Sequence, residues 1–380
     1  MVTVPAHLVA TPVLERLTGG SPGVSEGTNG EREGTVLGVA DTAVWIDLSG
    51  FVLVVTTREV PLLPNAIALS VGAGALGRAA VGSRGTARFI PGRVALGSLR
   101  ITWNPTAPPS WDPTVPVPTD ATPAAVAARG AAFLRALGSR PSPQDEVAEG
   151  AVDKNGNPIR RSATLPYRGP RHPGAADSAA LVRELARVGL ATAADPEGAA
   201  GLTLLFRAVR ERDPESAAAA GRALLGRGPG LTPEGDDLLA AVAGTLAVLG
   251  PAGGLPEPGP TTPPEEPTER TPLHEPTPSA LLDEPTLEAM LAALAPIPGR
   301  TTALSSTLLT LASERRLPEP AGRLLDLGSA GETAWPAALA RLERLGHGSG
   351  RAYAAGIAAT AMLLAAPEGG VTGLLAGPHR

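Results

Sequence analysis

Three short segments combine glycine, hydroxyl, acidic and basic residues just ahead of apolar helical runs, an arrangement suited to holding an anion. The first is Gly226-Arg227-Gly228-Pro229-Gly230-Leu231-Thr232-Pro233-Glu234-Gly235-Asp236-Asp237, followed by an apolar run over 238–249. Thr232 is placed to act as N-cap with Pro233 at the first helical position. Gly228, Gly230 and Gly235 let backbone N–H groups approach something bound, while the orphan donors and positive dipole end of the helix face the loop. The competing reading is that Asp236 and Asp237 only answer that dipole. Successive helical residues point about 100° apart, so one of the two faces the loop.

Two further segments share the design. Gly299-Arg300-Thr301-Thr302-Ala303-Leu304-Ser305-Ser306 places hydroxyls four residues apart, beside an arginine able to grip a carboxylate or phosphate with two hydrogen bonds. Gly346-His347-Gly348-Ser349-Gly350 opens the last long helix, and an imidazole in such a turn could serve as acid, base or donor; a structural histidine is the alternative. The site read from these segments has Asp236 and His347 as catalytic groups. Gly228, Gly230, Thr232, Gly235, Arg300, Thr301, Thr302, Ser305 and Ser349 bind the anionic substrate. Asp236 and Asp237 could contact Mg²⁺, with no other cofactor expected. If the helices after the first and third loops pack in parallel through their small residues, Ala240, Ala241 and Gly244 in one and Ala354 to Ala359 in the other, the loops meet and form one pocket.

Other chemistries fall away. The chain has no Cys, five His that are far apart, and Lys154 as its only lysine, which removes thiolate chemistry, helical zinc pairs and a phosphate-binding lysine loop. Gly72-Ala73-Gly74-Ala75-Leu76-Gly77 matches a dinucleotide fingerprint in form. Gly82 and Gly85 shorten any following helix, however, and no acid lies between Glu59 and Asp112 to meet a ribose, so the stretch reads as a connection between strands. Arg78, Arg84, Arg88, Arg93 and Arg100 share that acid-free interval. They read as a solvated β face or as a meeting point for an acidic partner; with a net charge of −5 and 3% aromatic residues, neither nucleic acid nor a membrane is expected. No basic leader and no apolar run of spanning length occurs, so a cytoplasmic location is expected.

Residues 35–39, 43–48 and 51–55 read as strands with a Ser49-Gly50 hairpin turn, and 66–71, 86–90 and 99–103 extend the pattern. Periodicity then changes to that of helices at 124–137, 176–188, 202–211, 215–225, 233–249, 286–294, 302–315, 336–345 and 350–365. The expected fold is α+β: a small, mostly antiparallel N-terminal β domain at 1–104, a Pro-rich linker at 105–123, and a larger all-helical domain at 124–380. Insertions at 141–174 and 251–279 are too rich in Pro and polar residues to pack and are expected to be disordered, with their ends close together.

The three motifs, in this order, resemble the AllH family, whose namesake is a subunit associated with oxamate carbamoyltransferase in the anaerobic allantoin pathway, alongside AllF and AllG. The resemblance covers the motifs and the β-then-helical layout. It implies carbamoyl transfer between oxalurate and phosphate to give oxamate and carbamoyl phosphate, a small anionic substrate, and partner subunits. It transfers no established catalytic residue. The alternative is a non-catalytic ligand-binding or scaffolding subunit of a multi-subunit metabolic complex, and whether the chain is itself a transferase stays open at this stage.

Overall fold

A computed structural model describes residues 2–18, 31–78, 85–119, 121–140, 173–252, 280–346, 348–367 and 370–376. The expected insertions at 141–174 and 251–279 fall largely outside these residues, as does His347. Leu281 N–H donates to the Ala252 carbonyl at 3.2 Å, so the two ends flanking the second insertion do meet.

The strands are β1 Val2–Ala10, β2 Arg32–Val39, β3 Ala43–Leu48, β4 Phe51–Thr56, β5 Ala66–Leu69, β6 Thr86–Ile90, β7 Arg93–Leu96, β8 Leu99–Thr102 and β9 Ser110–Trp111. Alternation drives their inner face: Val44, Ile46 and Leu48 of β3 and Leu53 and Val55 of β4 point into one apolar core. Ser49 and Gly50 turn the β3–β4 hairpin with φ of 54° and 85°, the primed-turn conformation that suits strand twist.

The expected small, mostly antiparallel sheet domain is overturned. The strands form an eight-stranded closed β-barrel with a ninth strand attached. Closure depends on β1, whose first half pairs in parallel with β8 (Val2↔Leu99 to Pro5↔Thr102) and whose second half pairs antiparallel with β5 (Ala6↔Leu69, Val9↔Ile67). A second parallel pairing joins β4 to β5. Parallel partners distant in sequence leave no local turn signal, and β1, which carries Pro5 and His7, does not read as a strand by itself. Closing the ring leaves no open edge among these eight strands.

The helices are α1 Thr11–Thr18, α2 Pro123–Gly138, α3 Pro173–Arg187, α4 Pro196–Glu211, α5 Pro214–Leu224, α6 Glu234–Leu249, α7 Glu284–Ala293, α8 Ala303–Ser313, α9 Glu319–Leu325, α10 Ser329–Leu342, α11 Ser349–Ala365 and α12 Gly370–Ala376, with single turns at Ala75–Arg78 and Ala191–Ala194. Nearly every residue of α6 and α11 is buried, as their all-round apolar sequences require. Small residues set the crossings. A Cβ on Gly356 of α11 would stand 2.7 Å from the Cβ of Ala241 in α6, and one on Gly130 of α2 would stand 2.6 Å from the Ala358 carbonyl oxygen of α11.

The segment expected as a linker is anchored at both ends. It supplies β9, which pairs in parallel with β1, and then runs beside 315–317, where Val115 N–H donates to the Arg315 carbonyl at 2.9 Å. Helix α8 lies on the outer face of the barrel, its Leu304 against Ala43, Val52 and Val54, and the Thr307 hydroxyl accepts from Val52 N–H at 3.0 Å. No helix among the described residues is long and apolar enough to cross a membrane.

Candidate functional site

The side-by-side packing of α6 and α11 brings their N-termini to the same end. There the Thr232 and Ser349 hydroxyls lie 2.9 Å apart, joining two loops separated by more than a hundred residues of sequence. The second loop is tied to the first by the Thr302 hydroxyl, which donates to the Leu231 carbonyl at 2.6 Å. These contacts close one side of a cavity of about 1180 Å³ between the helical region and the outer wall of β3 and β4. Gly228, Gly230, Thr232, Glu234, Asp237, Arg344, Gly346, Gly348 and Ser349 line the helical side, and Trp45 and Val54 the barrel side.

The glycines of the first loop carry the conformations that their type permits. Gly226, Gly228 and Gly230 have φ of 75°, 112° and 103°, values costly for any residue with a Cβ. Gly235 is required by contact: a Cβ there would lie 2.3 Å from the Leu224 carbonyl oxygen. The capping expected of Thr232 does not occur. Helix α6 begins at Glu234 with Pro233 as N-cap and no side-chain cap bond, so the Thr232 hydroxyl is left to pair with Ser349.

Asp236 and Asp237 differ sharply. Asp236 is buried; one carboxyl oxygen accepts from Gly226 N–H at 2.7 Å and the other from the Thr301 hydroxyl. It is a clasp between the first and second loops and does not line the cavity. Asp237 does line it, and it is 5% exposed. Its Oδ2 has no hydrogen-bond partner among the described residues. Burial pushes the Asp237 carboxyl well above the usual carboxylate range, opposed by the Ser349 and Thr232 hydroxyls and reinforced by the charges of Asp236 and Glu234. The phenol of Tyr353, also in the cavity wall, is pushed up by burial and by Asp237. Glu234 is occupied elsewhere, accepting from the Ala191 and Thr192 backbone N–H groups at 3.2 and 2.6 Å.

Arg300 is not brought to the cavity. It is exposed, and its guanidinium donates to the Arg222 carbonyl at 2.7 Å, at the C-terminal end of α5. Thr302 caps α8, accepting from Ser305 N–H at 3.1 Å, and Ser305 is buried away from the cavity, which the second segment meets through Leu304. Two arginines do reach the cavity. Arg227 is held by Asp195 at 2.7 Å and Glu197 at 2.8 Å, whereas Arg344 makes no ion pair among the described residues. The sequence reading passed over Arg344; its position two residues before the Gly346 turn was the available signal. Arg351, directly after the third motif, points away and is buried, donating to the Val188 carbonyl at 2.6 Å and to Glu343 at 3.1 Å. No group of three or more His, Asp or Glu side chains is placed to hold a metal ion among the described residues. Of the arginines in the acid-free interval, Arg88 pairs with Glu33 at 3.3 Å on the barrel surface, which answers its charge locally.

The cavity lies where the barrel wall meets the helical region, with the starts of α6 and α11 on one side, the kind of place in which small-molecule sites collect. Residues 280–361 match the family described as "Oxamate carbamoyltransferase subunit AllH", to which this part of the chain is similar. The matched stretch holds the second and third loops; the first loop and the barrel lie outside it. No curated protein and no solved structure matches the chain.

Proposed function

We propose that the chain is an AllH-type subunit of an oxamate carbamoyltransferase system and that its cavity binds the small anions of carbamoyl transfer, oxalurate, oxamate, phosphate or carbamoyl phosphate. The observation that carries this reading is Asp237: a buried carboxyl with an unused oxygen, in the wall of the cavity where two Gly-rich loops meet. A carboxyl held protonated is a hydrogen-bond donor, the complement of a carboxylate or amide oxygen. The N–H groups of the first loop and Ser349 add donors, and Arg344 supplies the opposite charge.

In the transfer, a phosphate oxygen bonds to the carbamoyl carbon of oxalurate, the C–N bond to the oxamate nitrogen breaks, and that nitrogen takes a proton. Asp237 is the group in the described wall suited to give it. Asp236 acts one step removed, as a positioning residue that holds Gly226 and Thr301 together. The proton-transfer role read for His347 from the sequence stays a proposal of the same kind.

A second reading is favoured by the charge inventory. Arg344 is the one guanidinium lining the cavity without an ion pair among the described residues, too little positive charge to hold both phosphate and oxalurate. Partner subunits would then complete the site, with this chain binding one ligand.

A thermal-shift series with the four anions separates the two. Ligand at a hundred times its dissociation constant adds about 2.7 kcal/mol. Stabilisation by oxalurate or oxamate that vanishes in Ser349→Ala and Arg344→Ala supports the anion site, and turnover after adding partner subunits, lost in Asp237→Asn with assembly intact, supports catalysis here. No shift with any of the four, alone or in the complex, refutes the reading.

A further inference from the structure

The polar end at Thr232, Asp237, Arg344 and Ser349 takes up a small part of a cavity of about 1180 Å³. Much of the remaining wall is apolar, including Trp45, Val54, Val60, Leu63, Leu304 and Leu308. A two-carbon anion leaves this wall uncovered.

Trp45 gives the wall a specific shape. Its partner across the β2–β3 ladder is Gly38, and a Cβ at residue 38 would approach the indole ring to 3.4 Å. Glycine thus lets the ring lie against the neighbouring strand, backed on one side, while the half-buried indole lines the cavity. A backed aromatic face is a stacking surface for a flat molecule. The charges then limit what the flat molecule carries. With Asp237 held protonated, Glu59, Asp195 and Glu234 line the cavity against Arg227 and Arg344 among the described residues, so a polyphosphate meets several times the repulsion that a singly charged head does and a neutral head meets none.

We propose that the cavity takes a planar conjugated molecule bearing one carboxylate or carboxamide, its head at Ser349 and Asp237 and its plane on Trp45. This deepens the preceding reading and rests on its claim that the cavity is a ligand site.

The test is calorimetric titration of the full chain with nicotinate (flat, one carboxylate), cyclohexanecarboxylate (same head, not flat), oxamate and ADP. Nicotinate should bind about tenfold tighter than cyclohexanecarboxylate and weaken about tenfold or more in Trp45→Ala, in keeping with the loss of a stacked ring. Trp45→Phe should recover part of that loss, Ser349→Ala should weaken both ring carboxylates alike, and ADP should bind more weakly than nicotinate. Unchanged nicotinate affinity in Trp45→Ala, ADP binding tighter than nicotinate, or no nicotinate binding at all overturns the proposal. Oxamate separates the two readings: binding that survives Trp45→Ala while nicotinate fails refutes only the stacking wall, and nicotinate binding without oxamate binding refutes only the carbamoyl-anion assignment.

Discussion

Replacing Asp236 tests whether the loops around the cavity are held by its carboxylate. Its two oxygens accept from Gly226 N–H at 2.7 Å and from the Thr301 hydroxyl, and the residue is 2% exposed. Hydrogen bonds to a charged group contribute about 1.5–3 kcal/mol each, so Asp236→Ala, which removes both and orphans two donors, should cost about 3–5 kcal/mol. Asp236→Asn should cost about 1 kcal/mol: the amide oxygen can serve Gly226, and the Thr301 hydroxyl can reverse to accept from the amide nitrogen. Urea unfolding followed by circular dichroism measures both. Thr301→Val adds a double-mutant cycle, with an expected Asp236–Thr301 coupling of about 1–2 kcal/mol. Amide exchange at Gly226 should accelerate in Asp236→Ala. A cost below about 1 kcal/mol for Asp236→Ala, or equal costs for Ala and Asn, would show that the carboxylate is not the clasp.

The other predictions concern Asp237, the barrel–helix seam, a buried ion pair and the third loop. Because burial raises the Asp237 pKa in the folded chain, the native state keeps a proton that the unfolded chain releases near pH 4. Its contribution to stability is full below that unfolded value and falls as pH rises toward the folded one, so urea midpoints from pH 5 to 8 should decline less in Asp237→Asn than in the native chain; equal slopes would contradict the elevation. Thr307→Val leaves the buried Val52 N–H unpaired and should cost about 1–3 kcal/mol, with faster exchange at that amide. Asp177 pairs with Arg210 at 2.7 Å at 2% side-chain exposure, and Asp177→Ala should cost about 3–5 kcal/mol in the same unfolding assay. A Cβ on Gly350 would fall 1.7 Å from the Leu342 carbonyl oxygen, so Gly350→Ala should cost about 3 kcal/mol or more and weaken ligand binding through displaced Ser349.

Much of this arrangement was legible in the residues. Strands β3 and β6 fall at the expected bounds because alternation and flanking turn residues are local signals. Helices α6 and α11 were readable from small and apolar periodicity, and their juxtaposition from the same small faces. Sequence also marked Gly228 and Gly230 as residues suited to positive φ. What chemistry each side chain is free to do was not local. Asp236 and Asp237 are neighbours of identical type, yet the 100° between them sends one into a clasp and the other into the cavity wall. Arg300 looked suited to an anion, but the turn before α8 directs it to the end of α5.

The sequence by itself determined the change from strands to helices and the glycine-bearing loops. Only the tertiary structure decided that the strands close into a barrel, because the parallel pairings of β1 with β8 and of β4 with β5 join segments that carry no mutual signal along the chain. It also decided that the cavity has an aromatic barrel wall opposite its helix N-termini. Trp45 and Ser349 lie some three hundred residues apart in sequence and become parts of one cavity only when α8 docks on β4. Local propensity fixes elements; burial of their shared apolar faces fixes which side chains end up facing one another.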